Sequence, residues 1–332
     1  MKTATARVCL ATSVAVCVLC GGAASAITSN QPGYTQIVVA NIPTGDGNNF
    51  GGVVVGPDTN IYVVGGWLKN AFRITPGGTA TTLTLNAAGT PIGVGIVGTT
   101  LYVGQDSGRI DTFDISQPSP TATFLTTVPG TLNGNGNADF ALAPSGFGAY
   151  GGQLIACNGG VYAVNPTTGA KTNIFVGSGD WHSSLDFGPN GTLYVTEYNS
   201  GNVLTVTAAG STSVFANLPG ANPDGLAVHP GTGNIYVADP SGGKIFMITP
   251  AGVVSTFATS VILDDGFYPT GMAFSRNGTV LYYLTNTSVF QLAAIQGFPP
   301  IESIPVLGTL GWLMLMVLIA IAGAVVIRRA LP

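Results

Sequence analysis

The chain of 332 residues has little charge, because Asp, Glu, Lys and Arg together make up only 7% of it. Basic residues are the scarcest, and between residues 27 and 303 six of them stand against fourteen acidic residues. The resulting net charge of about −8 leaves no basic face for phosphate groups. Nucleic acid is therefore not an expected partner.

Cysteine and histidine are also rare, with four and two copies. Cys9, Cys17 and Cys20 lie near the N-terminus, which leaves Cys157 alone in the body of the chain and excludes a disulfide framework. Cys157 sits in an apolar run, so we expect a buried, inert thiol. The chain also lacks a Gly-x-Ser-x-Gly elbow and a metal-binding histidine pair.

Stretches with helical periodicity are absent from the body of the chain, which instead repeats one unit about six times. The clearest copy, residues 222–252, has three short apolar runs separated by Pro, Gly, Asn and Asp, and a fourth run, Val253–Ala258, follows. The apolar anchors of the second runs recur 39 to 53 residues apart, at Tyr62, Tyr102, Ile155, Tyr194, Tyr236 and Tyr282. Four strands per period of about 40 residues are typical of propeller blades.

The sixth copy ends after its third run, while the first apolar run of the body, Tyr34–Asn41, belongs to no copy. We therefore predict that this N-terminal run completes the last blade, which would remove an open sheet edge. The predicted fold is all-β, a six-bladed β-propeller of four-stranded blades spanning residues 27–298.

The two ends of the chain have the character of export and membrane segments. Residues 1–26 have a basic start, an apolar run and an Ala-Ser-Ala site, which predict a secretory signal peptide. A linker, 299–303, precedes residues 304–332, where the uncharged run Ile304–Ile327 is long enough to span a bilayer. The arginines that follow it, Arg328 and Arg329, predict a cytoplasmic C-terminus with the propeller outside.

The last thirty residues, from ESIPVLGTLGW to the double arginine, resemble the IPTL-CTERM tail, a relative of the PEP-CTERM sorting signals of Gram-negative bacteria. Val306 stands where that pattern has threonine. The resemblance implies that the chain is anchored in the inner membrane, cut by an exosortase-type protease, and released to the cell surface or extracellular matrix. An ordinary membrane anchor is the alternative. The positions that match are Ile304, Pro305, Leu307, Gly311, Trp312, Arg328 and Arg329.

In a propeller, the innermost strands begin and the second strands end at the same face of the ring. Polar residues at these two sets of positions therefore form two candidate rings around the central channel. The first ring is Asn49, Pro91, Asn137, Asp139, His182, Ser183, Asn222, Asp224, Tyr268 and Thr270. The second ring is Gly65, Gln105, Asp106, Asn158, Glu197, Asp239 and Thr285.

These oxygen-rich rings would suit a hard cation such as Ca²⁺, with Asp224 and Asp239 as candidate ligands. Beside Asp180 and Ser183, His182 could act as a base, and Glu197 is the second catalytic candidate. Asp and Asn also form turns, so Asp224 and Asp239 have a purely structural explanation as well. The ligand-binding candidates are Trp67, Asn137, Asp139, Trp181, Ser183, Asn222 and Tyr268.

The runs NIYVADPSGGKIFMITPAG and TLYVTEYNSGNVLTVTAAG resemble NHL repeats, and PDGLAVHPGTGNIYVAD resembles the metal-binding blade of gluconolactonases and strictosidine-synthase-like proteins. The likeness covers residues 50–293. It implies that Asp224 occupies the place of a divalent-metal ligand. Ser183-Ser184-Leu185 and Phe50 stand where the family has its other two ligands, an asparagine and a glutamate.

Three functions follow from this sequence. The first is a non-catalytic, surface-sorted module that binds a glycan, a protein or a small molecule. The second is a metal-dependent hydrolase or lyase of the gluconolactonase kind, and the third is a structural matrix component. The loss of two family metal ligands favours binding over catalysis.

Overall fold

The computed structural model describes residues 28–29, 32–42, 50–65, 70–85, 89–105, 107–127, 139–157, 159–177, 179–261, 263, 270–286 and 290–301. Across these ranges the apolar runs form antiparallel strands, and the Gly, Pro and Asn clusters between them form turns. The described residues contain one short 3₁₀ helix, Gly148–Tyr150, and no α-helix.

In chain order the strands are β1 (Thr28–Ser29), β2 (Thr35–Asn41), β3 (Phe50–Val55), β4 (Ile61–Gly65), β5 (Asn70–Ile74), β6 (Ala80–Thr84), β7 (Pro91–Val97), β8 (Thr100–Gln105), β9 (Arg109–Asp114), β10 (Thr123–Thr127), β11 (Asp139–Leu142), β12 (Leu154–Cys157), β13 (Gly160–Val164), β14 (Lys171–Val176), β15 (His182–Phe187), β16 (Leu193–Glu197), β17 (Asn202–Val206), β18 (Thr212–Asn217), β19 (Gly225–Val228), β20 (Ile235–Asp239), β21 (Lys244–Ile248), β22 (Val254–Thr259), β23 (Met272–Phe274), β24 (Val280–Asn286) and β25 (Phe290–Gln296).

These strands form six sheets, and each sheet is one blade. Blades 1 to 5 each begin with their innermost strand, in the order β3, β7, β11, β15 and β19, and blade 6 begins with β23. Each innermost strand packs beside the next, and β23 returns to β3, so the ring is closed. The predicted six-bladed propeller is confirmed, and all six predicted anchors lie on the second strands of their blades.

The N-terminal run closes the last blade as predicted. Strand β2 pairs antiparallel with β25 from Thr35 opposite Gln296 to Asn41 opposite Gln291, so blade 6 has four strands. Blade 5 differs from the prediction in having a fifth, two-residue strand, because β1 pairs with Ala258 and Thr259 at its outer edge. The chain passes this edge on its way to blade 6.

The turn between the third and fourth strands shows how the repeat encodes the blade. In blades 1, 4 and 5 a Thr-x-x-Gly turn closes with a hydrogen bond from the glycine N–H to the threonine carbonyl, and the threonine hydroxyl accepts the N–H of the residue that follows the glycine. The glycines have φ near +80°, which side chains disfavour. The three pairs are Thr75 and Gly78, Thr207 and Gly210, and Thr249 and Gly252.

The hydrophobic core lies between the blades rather than in one central mass. Among the described residues six buried clusters are found, one at each junction between neighbouring blades. Cys157 is completely buried in the cluster between blades 3 and 4, and burial raises the pKa of its thiol well above the ordinary value. The predicted burial of Cys157 is confirmed.

The last described residues pack against blades 5 and 6. The Nε2 atom of His229 lies 3.1 Å from the carbonyl oxygen of Pro299, and the N–H of Ile301 donates to the carbonyl of Asn277. Packed structure thus continues beyond the predicted propeller boundary at residue 298. Within the described ranges no helix has the length and apolar character needed to cross a membrane. The predicted signal peptide and C-terminal segment lie outside these ranges.

Candidate functional site

The predicted ring positions that the structure describes lie at one end of their blades. The start of an innermost strand pairs with the end of the second strand: Pro91 lies opposite Gln105, and His182 lies opposite Glu197. We call this end the upper face. The lower face is the opposite end, where turns join innermost strands to second strands.

A rigid aromatic corner stands on the upper face of blade 4, and we call Asp180, Trp181 and Tyr198 the blade-4 corner. The rings of Trp181 and Tyr198 are half-buried, with centroids 5.7 Å apart and planes inclined by 34°. The N–H of Tyr198 donates to the carbonyl of Trp181 at 2.9 Å. The carboxylate of Asp180 accepts the backbone N–H groups of Trp181, Asn199 and Ser200. Burial would raise the pKa of Asp180, but these hydrogen bonds outweigh it and lower the pKa.

His182, the predicted base, is fully buried directly below this corner. Its ring packs edge-on against Phe175, and its Nε2 atom lies 3.6 Å from Oε1 of Glu197. Within the described part of the chain neither ring nitrogen makes a hydrogen bond. Burial lowers the pKa of His182 despite the opposing charge of Glu197, so the ring is neutral at pH 7.

Glu197, the other predicted catalytic residue, is also buried and already used in hydrogen bonding. Its Oε2 atom accepts hydrogen bonds from Oγ of Ser200 and Nδ2 of Asn202, both at 2.9 Å. Its carboxylate therefore holds the turn that follows the second strand of blade 4. The structure brings His182 and Glu197 together, as their predicted roles require, but gives His182 no exposed surface.

Ser183 and Asp224 connect neighbouring blades. The Oγ atom of Ser183 donates to the carbonyl of Pro223 in blade 5 at 3.1 Å and lies 2.9 Å from Oγ1 of Thr196. One carboxylate oxygen of Asp224 accepts the backbone N–H of Thr270, at the start of blade 6, at 3.0 Å. An innermost strand pairs with its own blade along one edge only. The side chains of Ser183 and Asp224 bond to backbone groups of the next blade, which would otherwise be buried without partners.

Asp239 holds the turn on the upper face of blade 5. Its Oδ1 atom accepts the backbone N–H groups of Asn222 at 3.2 Å and Gly242 at 3.1 Å. The side chain of Asn222 donates in turn to the carbonyl of Tyr198, which ties blade 5 to the blade-4 corner. For Asp239 the structure supports the turn-forming explanation.

The two predicted Ca²⁺ ligands, Asp224 and Asp239, are already engaged by the protein backbone. Asp224 and Asp239 both direct their carboxylates at backbone N–H groups, and no group of three acidic, histidine or cysteine side chains that could hold a metal occurs among the described residues. A calcium site needs six to eight oxygen ligands. The described residues therefore do not fit a bound divalent cation.

Asp139 begins the innermost strand of blade 3, opposite Cys157, and lines a cavity in the central channel. Its carboxylate accepts hydrogen bonds from Oγ of Ser184 at 2.6 Å and from the N–H of Phe140 at 2.9 Å. A second carboxylate, that of Asp186, lines the same cavity and accepts the N–H groups of Val228 at 2.8 Å and Phe187 at 2.7 Å. Burial raises the pKa of Asp139 to about 6 and that of Asp186 to about 7.

Asp186 is the residue that the sequence analysis missed. A signal was present, because the innermost strand SSLDFGP has an acidic residue where the aligned copies have Val54, Ala227 and Ala273. An isolated charge in a buried strand is costly and needs an explanation. The predicted ring positions lie at the starts of innermost strands or the ends of second strands, whereas Asp186 is the next-to-last residue of the innermost strand β15.

Several predicted site residues lie outside the described ranges. These are Trp67, Asn137 and Tyr268 of the binding set, the ring positions Asn49, Asp106 and Asn158, and the sorting positions Ile304, Pro305, Leu307, Gly311, Trp312, Arg328 and Arg329.

The two channel carboxylates should make stability depend on pH. Their pKa values in the folded protein lie above the ordinary 3.8, so the folded chain holds protons that the unfolded chain has released. This contribution is complete below about pH 4 and is lost as pH rises through 6 and 7. Between about pH 5 and 8 we expect the wild type to lose about 2 kcal/mol more stability than Asp186→Asn, which cannot titrate there.

Urea denaturation of both proteins at the two pH values measures this difference. Asp114→Asn is the matched control, because Asp114 is exposed and its side-chain hydrogen bonds lower its pKa, so it does not titrate in this window. Equal pH dependence in the wild type and Asp186→Asn would show that Asp186 does not carry the predicted shift.

No protein-family model matches the chain, and no curated protein sequence matches it. Solved structures do match it in fold. A gluconolactonase from Xanthomonas campestris superposes with a TM-score of 0.62 and 14% identity, over 83% of this chain and 96% of that one. The calcium-binding protein regucalcin from Agrobacterium tumefaciens gives 0.57 and 15%, over 78% and 95%. Virginiamycin B lyase from Staphylococcus aureus gives 0.56 and 12%, over 79% and 98%.

The chain is therefore a six-bladed β-propeller of the architecture found in gluconolactonase-like proteins, which confirms the fold that the sequence resemblance implied. At these identities the likeness concerns the fold alone, since one propeller architecture can carry many different sites.

Proposed function

We propose that this protein is a ligand-binding module and that it binds its ligand at the blade-4 corner. The observation that carries the proposal is the half-exposed Trp181 and Tyr198 pair, held by backbone hydrogen bonds and by the carboxylate of Asp180. Rigid aromatic side chains supply large contact area at little conformational cost. A surface of this kind suits stacking against the apolar face of a sugar ring, so the proposed ligand is a glycan.

Burial of the polar candidates favours binding over catalysis. His182 and Ser183 have no exposed surface, and Glu197, Asp224 and Asp239 already accept hydrogen bonds from the protein. A general base must come within hydrogen-bond reach of its substrate. In the described conformation these side chains stabilise the upper face and leave the aromatic corner for contact.

The proposed setting of this module is the cell surface. The predicted signal peptide would export the chain through the inner membrane, the C-terminal segment would anchor it there, and an exosortase-type protease would then release it to the surface or matrix. The acidic propeller body is compatible with an extracellular glycan partner and not with nucleic acid.

Replacing Trp181 with alanine should weaken glycan binding by at least tenfold, because a central aromatic anchor typically contributes 2 kcal/mol or more, on the order of a thirtyfold change. Trp181→Phe should keep most of the affinity, since stacking survives. Binding of a panel of bacterial surface oligosaccharides, followed by calorimetry on the best one, provides the measurement.

Phe124→Ala is the matched control, because Phe124 is an exposed aromatic residue on the outer strand of blade 2. Equal affinity of Trp181→Ala and the wild type for a glycan that binds would place the ligand elsewhere. Loss of binding in Phe124→Ala as well would indicate a non-specific effect on the fold.

A second candidate function is hydrolysis or elimination of the gluconolactonase or lyase kind. The observation that favours it is the His182 and Glu197 pair, 3.6 Å apart, in which the described structure leaves both histidine nitrogens without hydrogen bonds. The names of the structural neighbours, gluconolactonase and virginiamycin B lyase, point the same way. Lactone turnover that is lost in His182→Ala would establish this function in place of pure binding.

A further inference from the structure

The central channel contains a cavity of about 390 Å³ that opens towards the lower face. Residues of blades 1, 3, 4, 5 and 6 form its wall. The turn residues Pro189, Pro230 and Arg276 lie at its lower rim. Its volume lies within the roughly 300–1,000 Å³ of small-molecule sites. It is separate from the blade-4 corner, which lies at the opposite end of strand β15.

The wall combines two kinds of chemistry. Most of the lining residues are apolar, among them Phe140, Phe187 and Met272, although polar and apolar atoms share the surface equally. The carboxylates of Asp139 and Asp186 interrupt this apolar surface, each from the innermost strand of its own blade. An apolar chamber with a few convergent polar groups is the usual form of a ligand pocket.

Neither carboxylate has its charge neutralised by the described protein. The ion pairs found among the described residues involve other side chains, and Arg276 at the rim is exposed rather than paired with Asp139 or Asp186. Asp186 accepts two N–H groups, whereas an ionised carboxylate offers about four acceptor positions. Acceptor capacity therefore remains on Asp186, which lines the cavity.

Two negative charges that have no ion-pair partner and lie in a partly enclosed cavity cost folding free energy. The raised pKa values of both groups express this cost, and the charge of Asp139 contributes to the rise at Asp186. A cation in the cavity would offset the cost. A divalent metal is disfavoured as that cation, because calcium takes six to eight oxygen ligands and the lining residues include two carboxylates, with no group of three metal-ligating side chains among the described residues.

We propose that the channel cavity binds a small organic cation, with its ammonium group at Asp139 and Asp186 and its hydrocarbon part against Phe140, Phe187 and Met272. The proposal is independent of glycan binding at the blade-4 corner, since the two sites share no residue. A protonated amine donates hydrogen bonds to both carboxylates, and the apolar body replaces water along the wall.

Calorimetry of the full chain with two matched probes tests the site. Benzylammonium and benzyl alcohol have similar size and differ in charge at about pH 8, where both aspartates are ionised. Benzylammonium should bind at least tenfold more tightly. Asp186→Asn and Asp139→Asn should each remove most of this preference, whereas Asp114→Asn, which changes an exposed carboxylate, should retain it.

Because either channel substitution could impair folding, Ala273→Leu provides a second variant. Ala273 lines the cavity, and a leucine there would occupy the space of the ligand without removing a charge. Binding of benzylammonium should fall at least tenfold in this variant, while affinity for the glycan at the blade-4 corner stays the same. Absent binding of benzylammonium, equal affinity for the alcohol, or full affinity in Ala273→Leu would overturn the proposal.

Discussion

Replacing Gly225 with alanine is expected to destabilise the propeller by about 3 kcal/mol or more, a decrease in Tm on the order of 10 °C. A Cβ atom at Gly225 would overlap the carbonyl oxygen of Thr270, and it would also lie 3.1 Å from the carbonyl carbon. Both atoms belong to the backbone at the start of blade 6. Backbone of a closed ring cannot move aside as a flexible side chain can, so the innermost strands would have to separate.

Thermal and urea denaturation of the purified variant measure this effect. Gly146→Ala is the control, because a Cβ atom at Gly146 meets no atom within 4 Å and its φ is not positive. Its stability should change by less than about 1 kcal/mol. If both variants lose the same stability, close approach of the innermost strands is not the reason for glycine at position 225.

Removing strand β2 should have the second large effect. A chain that starts at residue 43 loses all pairing along the outer edge of β25, and it loses Ala40 and Ile42 from the cluster between blades 6 and 1. Tyr34, which packs edge-on against Phe257 and Phe298, is lost as well. We expect a loss of about 5 kcal/mol or more, from buried apolar area and from exposed hydrogen-bonding groups together.

The newly exposed edge of β25 should also promote aggregation. Denaturation curves and light scattering at increasing protein concentration detect both effects. A chain that starts at residue 32 is the control, because among the described strands it removes β1 and its two-residue pairing with β22 and keeps β2. A cooperative, monomeric transition near the wild-type temperature in the shorter chain would show that β2 does not close the ring.

The repeat made most of the fold predictable. Short apolar runs and turn residues are local signals, and the second-strand anchors from Tyr62 to Tyr282 identified all six blades. The missing fourth run of the last copy identified β2 as its partner. The two-residue strand β1 could not be predicted, because so short a pairing has no pattern of its own.

The sequence predicted which residues of the candidate site lie side by side, but it predicted their roles less well. His182 and Glu197 do lie side by side, because strand register places them opposite each other. Their burial, however, depends on how Phe175 and the neighbouring turn pack over them, and sequence spacing does not show this. Asp139 stands at the start of an innermost strand, as predicted, and it lines the channel cavity together with Asp186, which was not predicted.

The sequence by itself determined the number of blades, the order of their strands and the way the ring closes, because each follows from patterns within about 40 residues. Only the tertiary structure decided which polar side chains connect the blades and which face the channel. Those choices depend on contacts between residues far apart in the chain, such as Asp224 with Thr270. Neighbouring innermost strands are closely packed, so the space that the fold leaves between them limits where each side chain can point.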